Sequence, residues 1–187
     1  MRRFLPSLLL LLLLPLAARA QLAPAVQASV NAACGNCAVG VSIGSPTNQT
    51  TWRVSLAPGA TATQQQQAQA ALTNFPLATW NAQQAAQASA QATLAAGLTV
   101  KSTAYPALNG TYSVTPAATG NISSVMLYIE VHQTFPGGAT TMPWLDAGGV
   151  PHVFPSVAEF QAFATDAADF VAAVSLGQTY AQPATIP

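Results

Sequence analysis

The chain has 187 residues, and only 5% of them are charged, against about 25% in an average soluble protein. Beyond residue 20, two basic side chains, Arg53 and Lys101, stand against five acidic ones. Two cations cannot neutralise a row of phosphates, so the composition argues against nucleic acid and against anionic membrane surfaces as direct partners.

The first twenty residues have the three parts of a secretory signal peptide. Arg2-Arg3 form a positively charged start, Leu8–Leu16 is apolar, and Ala18-Arg19-Ala20 is an A-x-A cleavage signal. The apolar run is shorter than the roughly 20 residues that a membrane-spanning helix needs. We therefore predict a signal peptide over 1–20, cleavage near Ala20, and a periplasmic or secreted mature chain without a membrane span.

The next segment contains both cysteines. Residues 21–33 are rich in alanine and suit either a short helix or a loose arm. In an exported protein two cysteines most often pair with each other, so Cys34 and Cys37 predict a local structural disulfide. A redox dithiol would need a helix that begins at Cys34, whereas Ala38–Ile43 has the pattern of a strand. A zinc site would have to recruit distant histidines.

A hairpin and a helix are predicted to follow the cysteines. Val39–Ile43 and Thr51–Leu56 alternate between apolar and polar residues, with turn residues between them. The helix is capped by Thr61 or Thr63, and Gln66 has the right spacing to complete a capping box with Thr63. Pro76 ends this helix. Residues 21–76 are therefore predicted to form an N-terminal module of a hairpin and a helix.

Residues 77–97 are almost all alanine and glutamine. They predict a helix that Gly97 ends, with Leu94 as its main large apolar residue. Helices with alanine faces can pack closely against each other. We expect this helix to link two modules and to be the place where the chain self-associates, in a helix pair or bundle.

Residues 98–176 predict a C-terminal α+β module. Leu98–Lys101 and Thr111–Val114 suit two short strands of a hairpin, and 116–120 suits a loop. The apolar residues of 121–133 fit either a strand or a helix. We favour the helix, because Asn121 or Thr119 can cap it and the stretch is long for a strand.

The rest of the chain is organised around residues 141–174. Met142–Leu145 and Val150–Phe154 flank Asp146-Ala-Gly-Gly149, which predicts a second hairpin in this module. Ser156 and Glu159 have the spacing of a capping box. The following helix carries three phenylalanines on one face, and the hairpin is the nearest segment that can cover them.

Residues 177–187, rich in glutamine, proline and threonine, are expected to form a flexible tail. The predicted fold class is α+β. It consists of two small modules, each of one or more β-hairpins and an amphipathic helix, joined by the Ala/Gln-rich helix.

Packing and turn motifs recur along both modules. They are Val41–Gly44, Thr51–Val54, Ala60–Gln64, Leu94–Val100, Leu108–Tyr112, Phe135–Gly138, Trp144–Asp146 and His152–Ser156. These motifs resemble those of predicted proteins of tailed bacteriophages and prophages, and the second module is similar to a tail-fibre-associated domain of unknown function. The resemblance implies a virion or tail-tip accessory component, and it supplies no catalytic residues.

Few residues point to a reaction. Asp146, His152 and Ser156 are a conceivable nucleophilic set, but Ser156 already serves as a helix cap and His152 lies in a hairpin strand. Motifs for a hydrolase elbow, a phosphate loop or a zinc protease do not occur in the sequence. We therefore predict no enzymatic activity, no cofactor and no metal.

The aromatic residues suggest an alternative function. Trp52, Trp80, Trp144 and Tyr112 would form a sugar-stacking platform if several were exposed, although such rings more often belong to a core. Our first prediction is an exported structural or protein-binding component whose partners are other proteins or a second copy of the chain. The alternative is a secreted module that binds glycans or cell surfaces.

Overall fold

The computed structural model describes the backbone of residues 7–186 and the side chains of residues 21–186. Its helices and small sheets form an α+β fold, as predicted. Contacts divide the chain into two compact units, with the boundary between Ala85 and Ala86. The predicted signal peptide lies outside the residues whose side chains are described. In the described part of the chain, no helix is both long enough and apolar enough to cross a membrane.

The first unit combines helices with a two-stranded sheet. Its elements are α1 (Ser7–Cys34), β1 (Ala38–Ser42), β2 (Arg53–Leu56), α2 (Ala62–Thr73) and the first part of α3 (Leu77–Ala96). β1 and β2 pair antiparallel as the predicted hairpin. Residues 21–33 belong to α1, so the helix is the correct alternative for that segment.

α1 packs through a stripe of residues spaced by four. Leu22, Val26, Val30 and Cys34 are each at most 2% exposed. Residues four apart lie on the same side of a helix, one turn above the other. This stripe shares a core with Trp52, which immediately precedes β2, and with residues of α2. The shared core explains why an alanine-rich segment folds as a docked helix and not as a loose arm.

The capping box of α2 is formed by Thr61 and Gln64. The Thr61 hydroxyl accepts from the Gln64 N–H at 3.2 Å, and the Gln64 side chain accepts from the Thr61 N–H at 3.0 Å. The predicted pairing of Thr63 with Gln66 is wrong, because Thr63 already lies inside the helix.

The second unit contains a three-stranded sheet, a hairpin and two packed helices. Its elements after α3 are β3 (Leu98–Ser102), β4 (Gly110–Tyr112), α4 (Pro116–His132), β5 (Met142–Leu145), β6 (Pro151–Phe154), α5 (Val157–Ser175) and β7 (Ala184–Ile186). β3 is the central strand, antiparallel to β4 and parallel to β7. β5 and β6 form the separate hairpin expected from the sequence.

α4 is a helix, as favoured above, but it begins earlier than expected. Pro116 is its first residue, and the Thr115 hydroxyl accepts from the Ala118 N–H at 3.4 Å. Proline suits this position because the N–H it lacks would have no partner in the first turn. The loop predicted for 116–120 is therefore wrong.

Ser156 caps α5, although not through the reciprocal bonds of a capping box. Its hydroxyl oxygen accepts from the Ala158 N–H at 3.1 Å, and the hydroxyl donates to the Glu159 carboxylate. Glu159 thus bonds the Ser156 side chain, where a capping box predicts a bond to the Ser156 backbone N–H.

Three phenylalanines of α5 form the centre of the second core. Phe160, Phe163 and Phe170 are each at most 1% exposed. The hairpin covers two of them. The ring centroids of Trp144 and Phe154 lie 5.3 and 5.2 Å from that of Phe160, in edge-to-face arrangements, and the Phe154 ring lies 5.1 Å from that of Phe163. Such pairs contribute about 0.5–1.5 kcal/mol beyond the burial of area.

The segment predicted as a flexible tail is tied down by a strand. β7 pairs with Val100–Ser102 of β3, and its Ala184 and Ile186 are only 5% and 1% exposed. Just before β7, the Gln182 side chain accepts from the Thr99 N–H at 2.9 Å. The prediction was wrong because this strand shows only two apolar residues in a stretch rich in turn formers.

Candidate functional site

The hairpin of β5 and β6 has two faces of different character. Its register pairs Met142 with Phe154, Pro143 with Val153, Trp144 with His152, and Leu145 with Pro151. Since side chains alternate along a strand, every second pair points the same way. The inner face carries Met142, Trp144, His152 and Phe154, and the outer face carries Pro143, Leu145, Pro151 and Val153.

The turn between the strands is held by one carboxylate. Asp146 Oδ1 accepts from the N–H groups of Gly148 and Val150, both at 2.8 Å. The bond from Val150 is the main cause that lowers the pKa of the Asp146 carboxyl below its usual 3.8. Partial desolvation opposes this shift, while His152 and the Gly148 N–H add to it. The Ala147 N–H donates to the Thr111 carbonyl at 2.7 Å, which joins the turn to β4.

His152 fixes the hairpin against the segment that precedes β4. Its Nδ1 lies 2.6 Å from the Ala107 carbonyl oxygen, and its Nε2 lies 3.4 Å from Asp146 Oδ2. Both partner atoms are acceptors, so each contact is a hydrogen bond only when that ring nitrogen carries a proton. A Cβ at Gly110 would lie 3.1 Å from Nε2, so glycine gives the ring its room.

The conceivable nucleophilic set is not assembled. The nitrogens of His152 face Ala107 and Asp146, whereas the Ser156 hydroxyl bonds Glu159 and the start of α5. The other histidine, His132, lies at the end of α4, where its ring stacks on Tyr128 with centroids 4.3 Å apart. These contacts are those of groups that position secondary structure.

The outer face of the hairpin groups several exposed apolar side chains of the second unit. Leu145, Val153 and the adjacent Val150 are 61%, 52% and 53% exposed, and Pro143 and Pro151 lie beside them. We call these five residues the hairpin face. Apolar side chains grouped in this way on a surface mark contact sites for other macromolecules more often than single exposed ones do.

The four aromatic residues considered for sugar stacking do not form a platform. Trp52 and Tyr112 are 1% and 0% exposed, so both are core residues. The Trp52 indole N–H donates to the Ser45 carbonyl, and the Tyr112 hydroxyl donates to the Leu108 carbonyl. Trp80 packs against the first core and Trp144 against the second. Trp52 and Tyr112 therefore do not meet the condition of exposure on which the sugar-stacking alternative depends.

Cys34 and Cys37 are joined by a disulfide, and the described residues contain no free cysteine. Cys34 is the last residue of α1. A redox dithiol is activated at the positive N-terminal end of a helix, whereas a C-terminal end disfavours the thiolate. The described residues also contain no group of three His, Cys, Asp or Glu side chains that could hold a metal ion.

Comparisons of the chain with protein-family models, with curated proteins and with solved structures find no match. The resemblance to phage tail-associated proteins is thus a hypothesis that rests on its sequence motifs.

Proposed function

We propose that this chain is an exported, non-enzymatic structural component that assembles with protein chains, including copies of itself, through the hairpin face. The observation that carries the proposal is the group of exposed apolar side chains Leu145, Val150 and Val153 on a hairpin anchored by an aromatic core. The anchored inner face holds the outer face in one orientation before a partner arrives, which lowers the entropy lost on binding.

The chemistry of the hairpin face favours a protein partner. Fully burying a leucine or valine side chain contributes roughly 1.5–3 kcal/mol, so covering three that are about half exposed contributes a few kcal/mol. No charged side chain belongs to this face. The contact would therefore be driven by apolar burial and would persist at high salt.

The two prolines of the hairpin face favour packing over strand addition. Pro143 lies in β5 and Pro151 in β6, and both are exposed. Proline has no N–H to offer a further strand, and it is one of the residues that protect exposed sheet edges. A partner would rest on the face of the hairpin and would not extend its sheet.

The Ala/Gln-rich helix α3 is the second contact in this proposal. Small residues spaced alternately by four and three occupy one exposed stripe, at Ala78, Ala82, Ala85, Ser89, Ala92 and Ala96. This is the spacing at which two helices interlock side by side, and small side chains allow a close approach. The phage resemblance adds tail assembly as the setting, which neighbouring tail or lysis genes would support.

The size of the purified chain tests the proposal. We expect light scattering after gel filtration to give a mass above that of a monomer at both 50 mM and 1 M NaCl. Leu145→Ser with Val153→Ser should shift the chain toward monomer. Leu176→Ser removes a side chain that is 73% exposed outside the hairpin face, and it should leave the mass unchanged.

A matched pair of variants tests the helix contact. Ala85→Glu places a charge in the stripe of small residues on α3, and Gln87→Glu places the same charge outside the stripe. The first should reduce the assembled mass and the second should not, because Gln87 lies on the opposite side of the helix from the stripe. A chain that is monomeric at every concentration up to about 100 µM, a range in which interfaces of micromolar affinity are filled, would contradict self-assembly.

A further inference from the structure

A groove of about 630 Å³ runs between α4 and α5 in the second unit. Its lining includes two rows of residues spaced by four: Ile122, Met126 and Glu130 on α4, and Gln161, Thr165 and Asp169 on α5. Eight residues of helix rise about 12 Å, so the rows extend over rather more than two helical turns. Volumes of 300–1,000 Å³ are typical of built binding clefts.

The floor of the groove is apolar and one wall is exposed. Ile122 and Ala164 are 4% and 5% exposed, and Met126 is partly buried. Leu127, which also lines the groove, is 64% exposed, and Val131 one turn further along α4 is 67% exposed. Two large apolar side chains on one side of a helix are thus left in water beside a groove that is already apolar.

Both rows end on a carboxylate that has no ion-pair partner in the part of the chain that the structure describes. Among the described residues neither Glu130 nor Asp169 forms an ion pair. From Ala86 onward the sequence holds a single basic residue, Lys101, against five acidic ones. A basic group on another molecule would therefore complement the ends of this groove.

We propose that the groove between α4 and α5 binds a basic amphipathic helix of a different protein. Apolar residues of the partner at i, i+3 or i+4, and i+7 would cover the floor together with Leu127, and lysine or arginine residues at their flanks would meet Glu130 and Asp169. A second copy of this chain does not fit, because beyond the leader its basic residues are only Arg53 and Lys101, and both lie in strands.

A synthetic peptide serves as the probe. We would use a labelled 18-residue helix of leucine and lysine with leucines at helical spacing, and measure its binding to the purified chain by fluorescence anisotropy. Two control peptides share its length: one has the same composition in scrambled order, and one carries glutamate in place of lysine. The proposal predicts binding of the first peptide alone, and weaker binding in 300 mM than in 50 mM NaCl.

Variants of the groove locate the binding. Leu127→Ser should raise the Kd about tenfold, because it removes an apolar contact at the centre of the interface. Glu130→Gln with Asp169→Asn should raise the Kd roughly three- to tenfold and remove most of the salt dependence. Leu176→Ser and Glu159→Gln change an apolar residue and a carboxylate outside the groove. Both variants should leave the Kd of the peptide unchanged.

Three results would overturn the proposal: no binding of the basic helix at 200 µM chain, equal binding of the scrambled peptide, or groove variants that bind as the unchanged chain does. All of the substituted groove residues are exposed, so circular dichroism should show the same melting curve for each variant. The hairpin face and α3 are unchanged in these variants. The proposal of peptide binding in the groove and the proposal of self-assembly can therefore be contradicted independently of each other.

Discussion

At the scale of single residues, the hairpin owes its position to a few polar contacts and a cluster of rings. Asp146 and His152 were visible in the sequence as a possible catalytic pair, and the structure gives them a positioning role. The two side chains lie near each other in the sequence, but the Ala107 carbonyl that bonds His152 lies 45 residues earlier. A hydrogen bond between residues so far apart in the chain leaves no local pattern in the sequence that could predict it.

The charge of Asp146 should make part of the stability depend on pH. Its folded-state pKa is lowered, first by the Val150 N–H, so its contribution is present above the usual value of 3.8 and is lost as pH falls through the lower folded value. Asp146→Asn keeps an oxygen acceptor but removes the charge. We expect a lower urea midpoint for this variant at pH 7, and a difference that closes toward pH 3.

Glu130→Gln is the matched control for that measurement, because it removes an exposed carboxylate for which the structure shows no side-chain hydrogen bond. Its midpoint should follow that of the unchanged chain at every pH. A constant difference between Asp146→Asn and the unchanged chain from pH 7 to pH 3 would show that the charge is not the stabilising feature.

At the scale of elements, the sequence was a good guide where a pattern was long and a poor one where it was short. The amphipathic pattern of α5, with its three phenylalanines, and the alternation in the hairpins predicted their types correctly. β7 was missed because Ala184 and Ile186 are its only apolar residues. The first turn of α4 was missed because Pro116 was taken for a loop residue.

The strand β7 offers a direct test of the second core. Ile186 is 1% exposed and packs in the same cluster as Leu98 and Val100 of β3. Ile186→Ala should lower the free energy of unfolding of the second unit by about 2–5 kcal/mol, as expected for a buried isoleucine. Thr185→Ala, on the exposed side of the same strand, should change it by less than about 0.5 kcal/mol. Urea denaturation of both variants, followed by far-ultraviolet circular dichroism, is the measurement. Equal midpoints would contradict the burial of β7.

At the scale of the whole molecule, the sequence predicted the α+β class and the helical character of 77–97. The contact boundary falls within α3, between Ala85 and Ala86, where the sequence suggested a separate linker. Composition alone does not place this boundary, because the alanines on both sides of it look alike. What each alanine touches depends on residues far away in the chain.

The predicted cleavage site near Ala20 is compatible with the packing of α1. Leu22 is the first described side chain of the packed stripe on α1, so cleavage near Ala20 would keep that stripe whole. We expect mass spectrometry of the exported chain to give a first residue of Gln21 and two cysteines that resist a thiol reagent until they are reduced. Ala18→Leu should block cleavage, because the signal requires a small residue there. A chain that keeps its first twenty residues after export, or that has reactive thiols, would contradict the hypothesis.

The parallel pairing of β3 with β7 has a consequence for how the polypeptide reaches its native state. The Thr99 N–H and the Gln182 side chain that meet at this edge are separated by 83 positions. A contact between such distant segments forms late, because the intervening chain must first be brought together against its own entropy. Until then one side of β3 has unpaired backbone N–H and C=O groups, so we expect the yield of refolded protein to depend on how soon β7 pairs with it.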